Sequence, residues 1–275
     1  MEVAPLDQKL ETIFWEYIGR DIPHHYFFAY VWRYEKGSTR IFLALKGGRV
    51  DGAMLIYGEN VVQLRGSSEA AKALLERLEL DKATFTCEEQ HKPHVLEKYK
   101  SEWIREIILM LLRRGEEKIH VSHPVVSLNE IDAERIAAIL REVKPEHWGE
   151  ITGRQVIEGM SRGTFWKGIR VGGEIVSVAS SRITEWLGLI GIVATLEPHR
   201  NRGYATSVVS EMVKEILEKQ ENVILHVLGD NSPAIRVYGK IGFKPYRKYV
   251  YIKGERKQIL EGATDRFSNY VIKLR

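Results

Sequence analysis

Residues 187–217 read LGLIGIVATLEPHRNRGYATSVVSEMVKEIL, and the organisation of the chain is worked out from that stretch. Leu187 to Thr195 is a short apolar run of the kind that makes a buried strand. Ala205, Val208, Val209, Met212, Val213 and Ile216 then recur at i, i+3 and i+4, which predicts a helix from about Gly203 with one apolar face against a sheet. Arg200-Asn201-Arg202-Gly203-Tyr204-Ala205 lies between the two. The first four N–H groups of a helix have no partner within it, and its aligned peptide dipoles make that end partly positive. Gly203 has no Cβ and Ala205 only a small side chain, so an anion can approach the backbone; Arg200 and Arg202 add charge. The loop therefore reads as a pocket for a pyrophosphate. Taken alone it also fits a glycine that eases a turn between solvated arginines, because it lacks the full Gly-x-Gly-x-x-Gly or Walker pattern.

A second element follows the next strand, Val223 to Leu228. In Asn231 to Phe243, Ser232 suits an N-cap, Pro233 the first helical position and Gly242 the C-terminal stop. Ala234, Val237, Tyr238 and Ile241 share a face, so Tyr238 points toward the sheet that carries the loop. Its alternative role is that of a core tyrosine whose hydroxyl finds a partner.

Working outward, the same half begins with a helix capped by Ser127 and running through Arg141. A helix over Gly153–Met160 follows, then strands Phe165–Val171, Glu174–Ile183 and Leu187–Thr195. A last strand is expected over Lys248–Lys253. The first half reads in the same order. It has a helix around Leu10, Ile13, Phe14 and Tyr17, then strands Arg40–Leu45, Val50–Tyr57 and Val61–Leu64. A helix capped by Ser67 and reaching Leu78 follows, then strand Lys82–Thr86, a short helix His94–Tyr99 and a strand Trp103–Leu112. Repetition of one order suggests two copies of one fold. The polar stretch Arg113-Arg114-Gly115-Glu116-Glu117 is the expected boundary. The expected division is 1–114, 118–253 and an extension over 254–275, in which Tyr270-Val271-Ile272 is strand-like.

Bulk properties narrow the class. At 275 residues the chain is long for one core and comfortable for two. A formal net charge of +4 is mild, with no dense basic face, so nucleic acid is not expected as the main ligand. A single cysteine, Cys87, excludes an internal disulfide and suits a reducing cytoplasm. Met1 to Pro5 does not open as a signal peptide. No apolar run approaches the roughly 20 residues that span a bilayer. Cys87, His91 and His94 lack an evident fourth ligand, so no metal is expected.

The two elements together resemble the GNAT acetyltransferase superfamily. Its phosphate motif, Arg/Gln-x-x-Gly-x-Gly/Ala, corresponds to Arg200, Gly203 and Ala205, preceded by Ile192 to Thr195 on the strand. Its second motif corresponds to Asn231, Ala234, Tyr238, Gly242 and Phe243. The resemblance covers about Lys118 to Lys253. Residues 1–112 look like a degenerate copy whose loop, Arg65-Gly66-Ser67-Ser68, lacks the spaced glycines, an arrangement similar to that of glycine N-acyltransferase-like proteins. The implied fold class is α+β (mixed α/β): two copies, each a mixed, mostly antiparallel sheet flanked by helices.

The resemblance implies an acyl-CoA-dependent N-acyltransferase that takes acetyl-CoA as co-substrate. The acyl group would pass to an amine by direct attack through a tetrahedral intermediate. Main-chain groups of Val193, Ala194 and Thr195 would pair with the pantetheine arm as an added strand does. A strand amide near them would hold the oxyanion. Arg200 and the amides of Asn201, Arg202, Gly203, Tyr204, Ala205 and Thr206 would hold the pyrophosphate. Asn231 would position the pantetheine, and Tyr238 would protonate the departing thiolate. Many relatives carry a Glu five residues before the asparagine; that position here is His226, which titrates near neutrality in its ordinary state and could accept the ammonium proton. A structural histidine on a strand face is the alternative. Glu197, Ser180 and Glu174 are weaker candidates for the base. Trp148 or Trp166 could border the acceptor. The acceptor is expected to be a small-molecule amine or amino acid, with a protein N-terminus or lysine, or a non-catalytic acyl-CoA sensor, as alternatives. A homodimer is left open.

Overall fold

The computed structural model describes residues 1–258. The first copy runs β1 (Glu2–Pro5), α1 (Glu11–Gly19), α2 (Ile22–Tyr34), β2 (Thr39–Lys46), β3 (Arg49–Tyr57), β4 (Val61–Gly66), α3 (Ser68–Leu75), β5 (Lys82–Cys87), α4 (Lys92–Lys98) and β6 (Tyr99–Arg113). The second runs β7 (Val126–Leu128), α5 (Ala133–Val143), α6 (Pro145–Trp148), α7 (Gly153–Ser161), β8 (Thr164–Val171), β9 (Glu174–Ile183), β10 (Gly188–Thr195), α8 (Tyr204–Leu217), β11 (Asn222–Leu228), α9 (Ser232–Ile241) and β12 (Lys244–Arg256). The repeated order read from the sequence, three strands, helix, strand, helix and strand, is present in both copies, from β2 to β6 and from β8 to β12, and the second copy carries the additional short helix α6. The strand-like Tyr270-Val271-Ile272 lies outside the described residues.

Several local expectations need correction. Ser127 does not cap a helix; it sits in β7. Asn129 instead caps the 3-10 turn Glu130–Asp132 that leads into α5: its side chain accepts from Ile131 N–H while Asp132 accepts from the Asn129 N–H. At α9 the cap is Asn231, which accepts from Ala234 N–H at 3.3 Å, and Ser232 is the first helical residue. In both places an Asx side chain one or two residues away competed with the serine, and the two side chains cap comparably well. The helix α2 was not anticipated. Its segment IPHHYFFAYVWRY buries His25, Tyr26, Phe28, Ala29, Tyr30, Val31 and Trp32, so no polar stripe marks a helical period.

The two copies do not make two sheets. One sheet of 12 strands runs in the order β1-β2-β3-β4-β5-β12-β6-β11-β10-β9-β8-β7. Each copy places its last strand against the other: β12 pairs antiparallel with β5 and β6, and β6 pairs antiparallel with β11. The order reads alike from either end, so a pseudo-two-fold passes between β12 and β6. The exchange covers the edges that β5 and β11 would otherwise expose, and an uncovered edge invites pairing with other chains. Among the described residues the only parallel pairs are β4 with β5 and β10 with β11, each joined through a crossover helix, α3 or α8. The helix α2 joins the copies: Phe28, Tyr30 and Trp32 share a buried cluster with Leu187 and Ile224 of the second copy. Among the described residues no helix is long and apolar enough to cross a membrane.

Candidate active site

Two irregularities of β10 open a gap in the second copy. Its parallel ladder to β11 covers only Gly188–Val223, Leu189–Ile224 and Ile190–Leu225. Its antiparallel ladder to β9 shifts register between Ile190 and Val193, so Gly191 and Ile192 bulge. A Cβ on Gly191 would stand 2.8 Å from Ser180 Oγ, which explains glycine at the bulge. The Ile192 N–H leaves the ladder and donates to Ser180 Oγ at 2.8 Å. After the bulge, Val193, Ala194 and Thr195 pair with Ala179, Val178 and Ser177. Leu196 N–H donates to the Val176 carbonyl at 3.0 Å. Because main-chain groups alternate along an antiparallel strand, those of Val193 and Thr195 face the gap toward β11. Arg200 Nε donates to the Thr195 carbonyl at 3.2 Å and so ties the loop to the strand end.

The loop enters α8 with two residues in the left-handed region, Asn201 (φ 61°) and Gly203 (φ 82°). Gly203 is the N-cap, and the first ladder bond of the helix runs from Ser207 N–H to the Gly203 carbonyl at 3.0 Å. The amides of Asn201 to Thr206 therefore have no acceptor among the described residues. Alternating backbone signs with free amides make a concave anion site at a positive helix end. The reason for glycine at 203 differs from the expected one. A Cβ there would meet Ser122 Oγ and His123 Nε2 only at 3.7 Å, an ordinary contact; the positive φ is what excludes other residues. Tyr204 is buried, its ring edge-on to His123 at 4.6 Å, so it offers its amide and not its side chain. His123 Nε2 bonds to the Arg202 carbonyl at 2.8 Å, and Ser122 N–H donates to Ser207 Oγ at 3.1 Å. These braces were not foreseen, since nothing near residues 122–123 in the sequence points to a loop so far away.

A cleft of about 230 Å³ occupies the gap, and Val193, Ala194, His226, Asn231, Tyr238 and Trp148 are among its walls. Asn231 spends its carbonyl oxygen on the α9 cap, which leaves its amide NH₂ for the cleft. Tyr238 packs edge-on against Phe243 at 6.1 Å. Burial pushes its phenol up to about 12, and its hydroxyl bonds to none of the described residues. His226 stands among Phe27 (6.1 Å) and Tyr249 (6.5 Å). Burial and, secondarily, the Arg65 charge push its imidazole down to about 4. The expectation that it titrates near neutrality is thus corrected: His226 is neutral at pH 7, able to accept a proton but weakly basic. Glu174 is removed from the site, ion-paired to Arg135 at 3.6 Å at the far end of β9. Glu197 is exposed on the turn before the loop and lines neither of the two cavities beside the bulge. Ser180 serves the bulge as acceptor. Trp166 borders a second cavity on the other side of the bulge.

The corresponding place in the first copy is filled. The ladder of β4 and β5 ends at Gln63–Thr86, and the Arg65 guanidinium occupies the space beyond it. Its Nη1 donates to the carbonyls of Leu64 (2.9 Å) and Thr86 (3.0 Å), its Nη2 to Gln63 Oε1 (3.1 Å), and it lies over the Tyr249 ring at 4.2 Å. The carboxylates of Asp51 and Glu88 take Ser67 Oγ and the Gly66 N–H at the start of α3. Of the residues weighed as metal ligands, Cys87 is buried, His91 Nε2 bonds to the Gly66 carbonyl and His94 Nε2 to Ser68 Oγ.

This polar interior gives a pH dependence. Burial, with Arg65 close by, holds His24 down to about 2, and burial holds His25 down to about 4. Together with His226 they protonate in the unfolded chain near 6.5 but not in the folded one. The unfolded state then binds more protons between about pH 6.5 and 4, so stability rises with pH through that window and is full above it. Each such histidine adds a slope of up to about 1.4 kcal/mol per pH unit. Urea midpoints should fall steeply from pH 7 to pH 4.5; a flat profile would contradict the burial of these rings.

Residues 166–252 match the family described as FR47-like protein. The N-alpha-acetyltransferase MAK3 of Arabidopsis thaliana is 33% identical over a segment comprising 32% of this chain and 46% of that protein, so the chain spans less than half the length of this relative. Among solved structures, an acetyltransferase of the GNAT family from Colwellia psychrerythraea is similar with a TM-score of 0.62 at 10% identity, covering 93% of this chain and 100% of that one. A tandem GNAT protein from the clavulanic acid biosynthesis pathway is similar with a TM-score of 0.54 at 15% identity, over 79% and 82% of the two chains. At these identities the structural likeness is one of fold.

Proposed function

We propose that this chain, which has the fold of the GNAT N-acetyltransferases in tandem, transfers an acetyl group from acetyl-CoA to the amine of a small molecule or amino acid. One observation carries the reading: six consecutive amides, Asn201 to Thr206, have no acceptor among the described residues and lead into α8 just after β10, the strand whose Val193 and Ala194 line the cleft with Tyr238 and Asn231. The residues fit the cofactor. The amides and Arg200 would hold the pyrophosphate, the outward main-chain groups of Val193 and Thr195 would pair with the pantetheine, and the Asn231 amide would steady it. The bound thioester supplies an activated acyl carbon.

The chain then has three tasks. A main-chain N–H at or after the bulge would stabilise the developing oxyanion; Val193 N–H faces the gap, whereas Ile192 N–H is engaged by Ser180. Tyr238 would donate to the departing sulfur. With its phenol at about 12 it is a weaker acid than a thiol of about 8.5, so it serves as a hydrogen-bond donor ahead of full proton transfer. His226, neutral at pH 7, could accept the ammonium proton directly or lead a water relay.

A protein N-terminus is the second reading, favoured by the name of the Arabidopsis relative. The second cavity, whose wall residue Arg182 is bonded to Tyr30 of the first copy, has room for a small acceptor beside the bulge. The test is thiol release from acetyl-CoA by the full chain against small amines, amino acids and peptides. Release with amines or amino acids is expected. Release with peptides alone would transfer the assignment to the second reading, and tight CoA binding with no release would make the protein a CoA-binding sensor.

A further inference from the structure

The second cavity, about 270 Å³, shares Gly191 and Ile192 with the cofactor cleft and is walled by Ile151, Val156, Trp166 and Leu189, with Arg182 at one end. Arg182 belongs to β9 and is placed by both copies. Its Nη1 bonds to the Tyr30 hydroxyl of α2, its Nη2 donates to Thr164 Oγ1 at 2.7 Å, and the guanidinium lies over the Tyr30 ring at 4.7 Å. Its Nε is buried and has no partner among the described residues, and neither has the buried Nε1 of Trp166. No carboxylate of the described residues pairs with Arg182. The acids near that end are engaged elsewhere: Glu185 with Arg33 at 3.5 Å and Glu35 with Arg162 at 3.9 Å. A half-buried cation without a counter-ion is costly. Here it stands with a second unmet donor in a mostly apolar wall that also carries Gln155, Thr164, Ser180 and Ser181, a few strand positions from the bulge where transfer would occur.

We propose that the acceptor is an amino-carboxylic acid, its carboxylate held by Arg182 and its amine directed to the Gly191–Ile192 bulge; this rests on the acyltransferase reading. Arginine presents parallel donors that match a carboxylate, and its other two bonds, to Tyr30 and Thr164, fix the plane of the fork. The first copy thereby contributes to acceptor choice through Tyr30, although its own gap is filled.

The test compares acceptors identical except for a carboxylate, a carboxamide or a methyl ester. The wild-type protein should favour the carboxylate in kcat/KM. Arg182→Met should raise KM for it about 10- to 100-fold while leaving the Kd for CoA unchanged, and Arg182→Lys should recover part of the loss. Equal use of carboxylate and amide by the wild type, or an equal loss on both with Arg182→Met, would overturn the proposal. Direct titration of the CoA-loaded protein with the same acids separates this idea from transfer itself. Binding that depends on Arg182 without thiol release would keep the carboxylate site and end the acyltransferase reading. No binding of any acid and no release would end both.

Discussion

Gly203→Val is expected to raise the Kd for CoA by about 100-fold or more while the protein still unfolds cooperatively. The cause is backbone conformation. Gly203 sits at φ 82°, where a β-branched residue is strongly disfavoured. Space is not the obstacle, since the nearest atoms to a new Cβ lie at 3.7 Å. The chain can therefore accommodate valine only by turning residue 203 out of the left-handed region, and this rotates the neighbouring amides away from their common target. Loss of two charge-assisted bonds, at about 1.5–3 kcal/mol each, accounts for the expected factor. Gly203→Asn, which tolerates the left-handed region better, should lose less. Isothermal titration with CoA beside a melting curve reads both quantities. An unchanged Kd in a folded valine variant would mean that the pyrophosphate binds elsewhere.

Tyr238→Phe is expected to lower kcat by about 100-fold and to leave the Kd for CoA within a few-fold. The ring that packs against Phe243 is retained, so only the hydroxyl is removed. A single well-placed donor to developing charge in a closed site contributes on this scale. Because the phenol sits near 12, it stays protonated across the working range, and no limb of the pH–rate profile below about pH 11 should belong to it. If Tyr238→Phe retained full kcat, Tyr238 would be a core tyrosine and the sulfur would depend on another donor.

The signals in the sequence that proved readable were those set by neighbours in the chain. The apolar period of Ala205 to Ile216, the turn glycines and the spacing from Asn231 to Phe243 are local patterns, and α8, α9 and strands β8 to β10 appear where those patterns lie. The cap residues slipped by one or two positions, because Ser and Asx compete on nearly equal terms. The helix α2 escaped notice because it is buried nearly all round, and a helix without a polar face has no period to detect.

The sequence alone determined that each copy follows one order of strands and helices, and that a helix begins at a glycine whose preceding loop carries arginines. Short-range backbone preferences and side-chain periods suffice for that. Tertiary structure alone decided that β6 and β12 change places within one sheet, that Arg65 fills the first gap, that His226 is pushed down to about 4, and that Arg182 Nε has no partner among the described residues. The reason is physical: strand partners, burial and the charges around a group are supplied by residues far away along the chain. Tyr30 and Arg182, 152 residues apart, share a hydrogen bond that no local pattern encodes.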